Sequence, residues 1–131
     1  GPTKKTGFLN TIINSMVDKT IIPICYHDGK QERDFLFLND AIDSIKKAID
    51  YDHNGFQIFN ISSSKQYTIK EIIEMVEKIS QHKIPIKFSS EIPDEKILSA
   101  DNSIAQKELQ FKPHMDIEKG LKITINDLLK K

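Results

Sequence analysis

The chain has 131 residues, enough for one small domain, with 38% apolar and 8% aromatic residues and no tryptophan. Its 19 basic and 19 acidic residues cancel and are interspersed, which excludes a broad field that would attract nucleic acid or an anionic membrane. A single cysteine, Cys25, excludes an internal disulfide and a CxxC site, and no apolar run is long enough for a bilayer. We therefore expect a soluble, cytoplasmic protein that binds neither nucleic acid nor membrane.

The first 40 residues predict a helix, two strands and the start of a second helix. Apolar residues recur with helical spacing over residues 8–17, and Thr6 precedes them as an N-cap. "IIPICY" predicts a strand that Pro23 confines to an edge or bends, and "HDGK" predicts a turn around Gly29. "DFLFL" then predicts a second strand, and Asn39 is the predicted cap of a helix with these apolar positions: Ala41, Ile42, Ile45, Ala48 and Ile49.

The rest of the chain predicts further strands and helices in alternation. After Gly55, "FQIFNI" does not alternate strictly, which predicts a strand buried on both faces. Thr68 and Glu71 have the spacing of a capping box at the start of the next helix. "IPIKF" predicts another strand, and two further helices are predicted after Asp101 and Asp116.

The alternation of helices and short strands indicates an α/β fold, or α+β for the chain taken by itself. A strand buried on both faces needs neighbouring strands and covering helices, which the short strands of this chain do not supply. We therefore expect residues 1–131 to be the tail part of a larger α/β protein. The chain begins "GPTKK", and Gly1 and Pro2 are either native or the remnant of a tag.

The order of these segments resembles the C-terminal part of the extended short-chain dehydrogenase/reductase family, the NAD-dependent sugar-nucleotide epimerases and dehydratases. The resemblance covers nearly the whole chain and is carried by "GP" at 1–2 and five longer segments: "YHDGKQERDFLFLND" at 26–40, "FNISSS" at 59–64, "TIKEII" at 68–73, "SADNSIAQKELQFKP" at 99–113 and "DIEKGLKITI" at 116–125. The departures are His27 and Gln110 at positions where the family has glycine. Many family members also have an arginine just before the last "AD" that reaches the diphosphate. The corresponding segment here, "SSEIPDEK", contains none, and Lys96 is only a loose substitute.

The resemblance implies a Rossmann-type fold with about five helices, of which this chain is the sugar-nucleotide-binding region. The NAD-binding half is expected outside the chain, because no Gly-rich turn opens a βαβ unit here. A catalytic Tyr-x-x-x-Lys pair on one helix turn is also missing, since Tyr26 and Lys30 are separated by the predicted turn. We therefore expect an inactive chain by itself, with no catalytic, cofactor-binding or metal-binding residue, and a homodimer when intact.

Arg33 is the leading candidate for binding the diphosphate of a nucleotide sugar. A guanidinium stays charged and offers a planar set of donors that matches phosphate oxygens. The alternative from the residues alone is that Arg33 pairs with Asp34 or Asp40 at the surface, and these two aspartates are themselves predicted to be structural. By resemblance, the other substrate-binding candidates along the same groove are Tyr26, Gln31, Phe8, Leu9 and Asp94.

Two other functions are compatible with this sequence. One is a binding module that keeps the nucleotide groove without a cofactor, and the other is a structural or interaction domain whose groove is degenerate. The four histidines are scattered and predict no metal site. The sequence does not identify the sugar, the base or the net reaction.

Overall fold

The computed structural model describes residues 7–92 and 97–130. Its α-helices are α1 (Phe8–Val17), α2 (Leu38–Ile49), α3 (Ile69–Ser80), α4 (Ser103–Glu108) and α5 (Ile117–Leu129). Its strands are β1 (Ile24–Cys25), β2 (Glu32–Asp34), β3 (Gln66–Thr68), β4 (Lys87–Phe88) and β5 (Ile97–Leu98). The described residues therefore confirm a mixed α/β fold with five helices and short strands.

The strands form two small sheets. β1 and β4 pair in parallel, with Cys25 beside Phe88. β2 is the middle strand of the second sheet, antiparallel to β3 and parallel to β5. A 3-10 turn, His27–Gly29, connects the two sheets. β5 was not predicted from the sequence.

Three helices enclose the main hydrophobic core. Their predicted apolar stripes are buried or half-buried apart from the exposed Val17, and α1, α3 and α5 contribute Ile12, Ile72 and Leu121 to this core. Cys25 is also buried there as a small apolar side chain. A second, smaller core contains Ala105, Leu109, Phe111 and the half-buried side chains packed on them: Leu36, Tyr51, Phe59 and Ile61.

Two helix starts confirm the capping predictions. The Thr68 hydroxyl accepts from the backbone N–H of Glu71 at 3.1 Å, and the Glu71 carboxylate accepts from the backbone N–H of Thr68 at 2.7 Å. Asp116 accepts from the backbone N–H of Glu118 at 2.9 Å. The predicted cap Thr6 lies outside the described residues. Asp101 accepts from the N–H of Ser103 at 2.9 Å, but α4 itself begins after Asn102.

The predicted strand "DFLFL" and the Asn39 cap are wrong. β2 ends at Asp34, residues 35–37 are irregular, and α2 begins at Leu38 with Phe37 as its N-cap. The helix begins one residue before Asn39 and without a side-chain cap, and the neighbouring Asp40 carboxylate is buried, where it accepts the backbone N–H groups of residues 114 and 115. This contact fixes where the chain turns into the helix.

The prediction that "FQIFNI" is a strand buried on both faces is also wrong within the described residues, and the apolar stripe of α2 is mostly exposed. Ile45 and Ile49 of α2 are 59% and 77% exposed, and the same helix buries Asp40 and Ser44 instead. Residues 56–61 form no strand, and Phe56 is 86% exposed. Phe59 and Ile61 pack on the second core, but the described part of the chain covers neither the other side of residues 56–61 nor the isoleucines of α2.

Candidate functional site

Arg33 lies at the centre of the three-stranded sheet. Its backbone is opposite Tyr67 of β3 and beside Leu98 of β5. The half-buried Arg33 side chain donates from Nη1 to the backbone carbonyl of Glu32 at 2.8 Å. Because strands flank β2 on both sides, the backbone that carries this guanidinium is held in a fixed register.

Tyr67 is a neighbour of Arg33 that the sequence did not single out. Directly opposed residues of an antiparallel pair project from the same face of the sheet, so the two side chains share a face. The pKa of Tyr67 is raised above its ordinary value of 10.0, first by desolvation and then by three nearby carboxylates, those of Asp116, Glu71 and Glu118. The phenol therefore stays protonated at neutral pH. Only the cross-strand register reveals this pairing, which is why sequence spacing missed it.

The two aspartates of the arginine motif bind backbone groups. Asp34 Oδ1 accepts from the N–H of Ser63 at 2.8 Å, and Asp34 Oδ2 is buried without a hydrogen-bond partner among the described residues. Both oxygens of Asp40 accept backbone N–H groups, from His114 and Met115. Each aspartate thus connects its segment to a distant part of the chain, as the structural role predicted for them requires.

Tyr26 and Gln31 lie on either side of the 3-10 turn. His27, Asp28 and Gly29 all have positive φ, at 51°, 52° and 76°. A Cβ on Gly29 would lie 3.2 Å from the Phe88 ring, so glycine suits this position both by conformation and by space. Tyr26 is half-buried. Gln31 is 8% exposed, and its backbone carbonyl accepts the backbone N–H of Ile69 at 2.9 Å.

Hydrogen bonds fix this turn against the segment that follows β4. The backbone N–H groups of His27 and Asp28 donate to the carbonyls of Glu91 and Ser89, at 2.8 and 2.9 Å. The turn therefore joins the two sheets and sets the direction in which the chain enters β2.

Phe8 and Leu9 occupy the first turn of α1, where both half-buried side chains pack on the main core. Leu9 also lines a cavity of about 620 Å³ between α1, residues 34–39 and α5. The lining is mainly apolar, and its polar residues are Asn10, Asp34, Asn39, Asp116, Thr124 and Asp127. The structure thus brings Leu9 close to the segment directly after Arg33, whereas Tyr26, Gln31 and Arg33 do not line this cavity. The candidate Asp94 lies outside the described residues.

Two exclusions apply to the described part of the chain. Residues 7–92 and 97–130 contain no group of three His, Cys, Asp or Glu side chains that could hold a metal ion. No helix among the same residues is long and apolar enough to cross a membrane.

The comparisons with known proteins agree with the sequence resemblance. The model of the NAD dependent epimerase/dehydratase family matches residues 1–62. An uncharacterized protein of Methanocaldococcus jannaschii is 38% identical over 99 residues, which are 74% of this chain and 30% of that protein. The chain belongs to this family. The UDP-glucuronate 4-epimerase of Thermodesulfobacterium geofontis is 34% identical over 107 residues, which are 77% of the chain and 31% of the epimerase.

Among solved structures, the chain resembles the UDP-glucuronic acid 4-epimerase of Bacillus cereus in complex with UDP-glucuronic acid and NAD. The TM-score is 0.87 at 27% identity, covering 97% of this chain and 41% of that one. This similarity confirms the predicted fold class, a part of the Rossmann-type epimerase fold. The chain spans less than a third of the length of the two curated relatives and about two fifths of the solved one.

Proposed function

We propose that residues 1–131 are the sugar-nucleotide-binding region of an NAD-dependent nucleotide-diphosphate-sugar epimerase or dehydratase. The family match and the relatives named for UDP-sugar epimerisation support this assignment. In this proposal, the NAD-binding half and the catalytic Tyr/Lys pair lie outside these residues. The 131-residue chain alone is expected to be inactive, because it contains neither a Gly-rich NAD-binding turn nor a helical Tyr-x-x-x-Lys pair.

The position of Arg33 is the observation that carries the proposal. A guanidinium has five N–H donors in a rigid plane, and one of the Arg33 donors is used to orient the side chain on the Glu32 carbonyl. Asp34 and Asp40 accept backbone N–H groups from distant segments, which supports the structural role predicted for these two aspartates. Arg33 is thus suited to binding a diphosphate from a fixed strand.

The other candidates complete a proposed groove around that arginine. Tyr26 and Gln31 flank the rigid turn that leads into β2, and Leu9 lies where α1 approaches residues 34–39. Together with Phe8 and Asp94, these residues are proposed to contact the base and the ribose. When bound, NAD supplies hydride removal and return, whereas the residues of this chain bind and orient the nucleotide sugar. Such positioning accounts for a large part of an enzymatic rate by fixing the reacting geometry.

The test uses the polypeptide that joins this chain to its NAD-binding half. We expect Arg33→Ala to weaken UDP-sugar binding about 10- to 100-fold, as the loss of about 1.5–3 kcal/mol from a charge-assisted hydrogen bond implies. NAD affinity should stay unchanged in the same titration calorimetry experiment. Lys30→Ala is the matched control, because it removes an exposed cation three residues away.

The same titrations distinguish the two remaining functions. UDP-sugar binding without NAD binding would indicate a binding module. If none of the uridine, thymidine, guanosine and cytidine diphosphate sugars binds, the groove is degenerate and the proposal is wrong. By the same family resemblance, the intact enzyme is proposed to be cytoplasmic and to form a homodimer. Sedimentation of the purified protein tests the oligomeric state.

A further inference from the structure

Tyr67 and Arg33 project from the same face of the three-stranded sheet. They are directly opposed in the antiparallel pair of β3 and β2, and Leu98 lies beside Arg33 on the other neighbouring strand. The Cβ atoms of residues opposed in this way lie about 4.5–5.5 Å apart. A ligand that is held by the Arg33 guanidinium therefore comes within reach of the Tyr67 side chain.

The Tyr67 ring is held in place, whereas its hydroxyl is not used by the fold. The ring is half-buried and packs on the main core, and β3 continues directly into the capped start of α3. The hydroxyl forms no hydrogen bond among the described residues. The two nearest capping carboxylates are engaged elsewhere: that of Glu71 accepts from Thr68, and that of Asp116 accepts from the backbone N–H of Glu118.

The charges around the Tyr67 hydroxyl indicate which part of a ligand it can bind. The carboxylates of Asp116, Glu71 and Glu118 lie close enough to add to the desolvation that raises the pKa of this phenol. These charges repel a phosphate group placed on the same hydroxyl. A neutral hydroxyl group, in contrast, can donate to the phenol or accept from it. Arg33 is therefore the better place for a diphosphate, and Tyr67 for an uncharged part of the ligand.

There is also space on this side of Tyr67. Asp116, whose charge acts on the Tyr67 phenol, lines the cavity between α1, residues 34–39 and α5, as does Leu9. Asp34, the residue directly after Arg33, lines it as well. The cavity measures about 620 Å³, which falls within the range of about 300–1,000 Å³ that is usual for ligand pockets. Its volume is sufficient for a sugar ring.

We propose that Tyr67 is a further substrate-binding residue, whose hydroxyl binds a hydroxyl group of the sugar. This inference rests on the proposed function, because the sugar lies here only if Arg33 holds the diphosphate. The ribose is the weaker choice, since Tyr26, Gln31 and Asp94 are proposed for the base and ribose and no residue of this chain is assigned to the sugar. A hydrogen bond at Tyr67 fixes how the sugar is rotated about its bond to the diphosphate, which is the positioning that the reaction requires.

Tyr67→Phe tests the assignment in the polypeptide that joins this chain to its NAD-binding half, because it keeps the ring packing and removes only the hydroxyl. Titration calorimetry uses the glucose diphosphates of uridine, thymidine, guanosine and cytidine, and the four nucleoside diphosphates without sugar. The glucose nucleotide that binds most tightly should bind about 3- to 10-fold more weakly to the variant. Its nucleoside diphosphate should bind equally to both proteins.

Tyr51→Phe is the matched control. It makes the same chemical change at a tyrosine whose hydroxyl donates to Glu108 at 3.1 Å. We expect it to leave both affinities unchanged. An unchanged affinity of Tyr67→Phe for the glucose nucleotide would overturn the assignment. Equal losses for the glucose nucleotide and the nucleoside diphosphate would also overturn it, because they would indicate a contact with the ribose or a structural effect.

Analogues of the same glucose nucleotide that each lack one sugar hydroxyl identify the group that Tyr67 binds. With the parent protein, one analogue should bind more weakly than the intact nucleotide. With Tyr67→Phe, that analogue and the intact nucleotide should bind equally, because the hydrogen bond is absent in both cases. If Tyr67→Phe weakens every analogue by the same factor, the hydroxyl contact is refuted.

Arg33→Ala keeps this inference distinct from the proposed function. If Arg33→Ala weakens binding of the glucose nucleotide and Tyr67→Phe does not, only the assignment of Tyr67 is wrong. If the parent protein binds no nucleotide sugar, the proposed function is wrong, and the assignment of Tyr67 is rejected with it.

Discussion

The Asp40 carboxylate accepts the backbone N–H groups of His114 and Met115, at 3.1 and 3.0 Å, across 74 and 75 residues of sequence. Asp40 is 6% exposed. The contact joins the first turn of α2 to the segment that enters α5. Since α2 contributes few apolar side chains to either core, this polar contact decides how the helix is oriented.

Asp40→Ala is expected to destabilise the 131-residue chain by about 2–3 kcal/mol, because two backbone donors lose a charged acceptor. Chemical unfolding followed by circular dichroism measures the change. Asp43→Ala is the control, since the Asp43 carboxylate is partly exposed and lies 4.0 Å from Lys47. Equal effects of the two substitutions would contradict the anchoring role of Asp40.

Asn102→Asp is expected to destabilise the chain by about 2–3 kcal/mol. Asn102 is 2% exposed, and its Nδ2 donates to the carbonyl of Ser62 at 2.9 Å while its Oδ1 accepts from the Ser64 hydroxyl at 2.8 Å. The aspartate would place a carboxylate oxygen against the Ser62 carbonyl, where a donor is required.

The matched control for that substitution is Asn60→Asp, which makes the same chemical change at an exposed position. Thermal unfolding at pH 7 compares the two variants. A midpoint for Asn102→Asp equal to that of the parent chain would show that the buried amide is not needed.

Phe111→Ala should destabilise the chain by about 3–5 kcal/mol, because the ring is fully buried in the second core. Phe56→Ala, at an 86% exposed ring, should change the free energy of unfolding by less than about 0.5 kcal/mol. If the Ala variant does not fold, Phe111→Leu provides the measurement, with a smaller loss expected. Equal losses at positions 111 and 56 would contradict the observed packing.

The capping box of α3 predicts a pH dependence. The backbone N–H of Thr68, followed by its hydroxyl, donates to the Glu71 carboxylate and holds its pKa below the ordinary value of 4.5. A carboxyl group whose pKa is lower in the folded state stabilises the fold above pH 4.5. This contribution is lost as the pH falls through the lowered value. Since Glu71 is exposed, the effect is expected to stay below about 1 kcal/mol.

Glu71→Gln tests this dependence because it keeps the acceptor but removes the charge. We expect the difference in unfolding free energy between the parent chain and the variant to be largest near pH 7 and to approach zero as the pH falls below the lowered pKa of Glu71. Urea unfolding at a series of pH values measures it. A difference that stays constant over this range would show that ionisation of Glu71 plays no part.

The sequence predicted the elements that depend on local chemistry. The Thr68–Glu71 capping box and the Asp116 cap were recognisable because both use contacts between residues two or three positions apart. The buried stripes of α3 and α5 were also correct, since helical spacing alone places those residues on one side. Of the site, the sequence offered Arg33 as a candidate but not its neighbour Tyr67, which is brought there by strand register.

The errors concern contacts between distant residues. The interpretation of "DFLFL" as a strand was wrong, since β2 ends at Asp34. The helix that follows is held by the contact of Asp40 with the backbone of residues 114 and 115, which no local pattern reveals. The sequence identified the apolar stripe of α2 but not its exposure. Periodicity shows that a helix has an apolar side without showing what covers that side.

By itself, then, the sequence determined the type of fold, the caps of α3 and α5, and the family to which the chain belongs. These features depend on contacts between residues close in sequence, on the spacing of apolar residues and on the order of motifs. Only the tertiary structure decided which apolar surfaces are buried and which are left exposed. That outcome depends on partners far apart in sequence: Asp40 holds α2 with its isoleucines exposed, and residues 56–61 form no strand among the described residues.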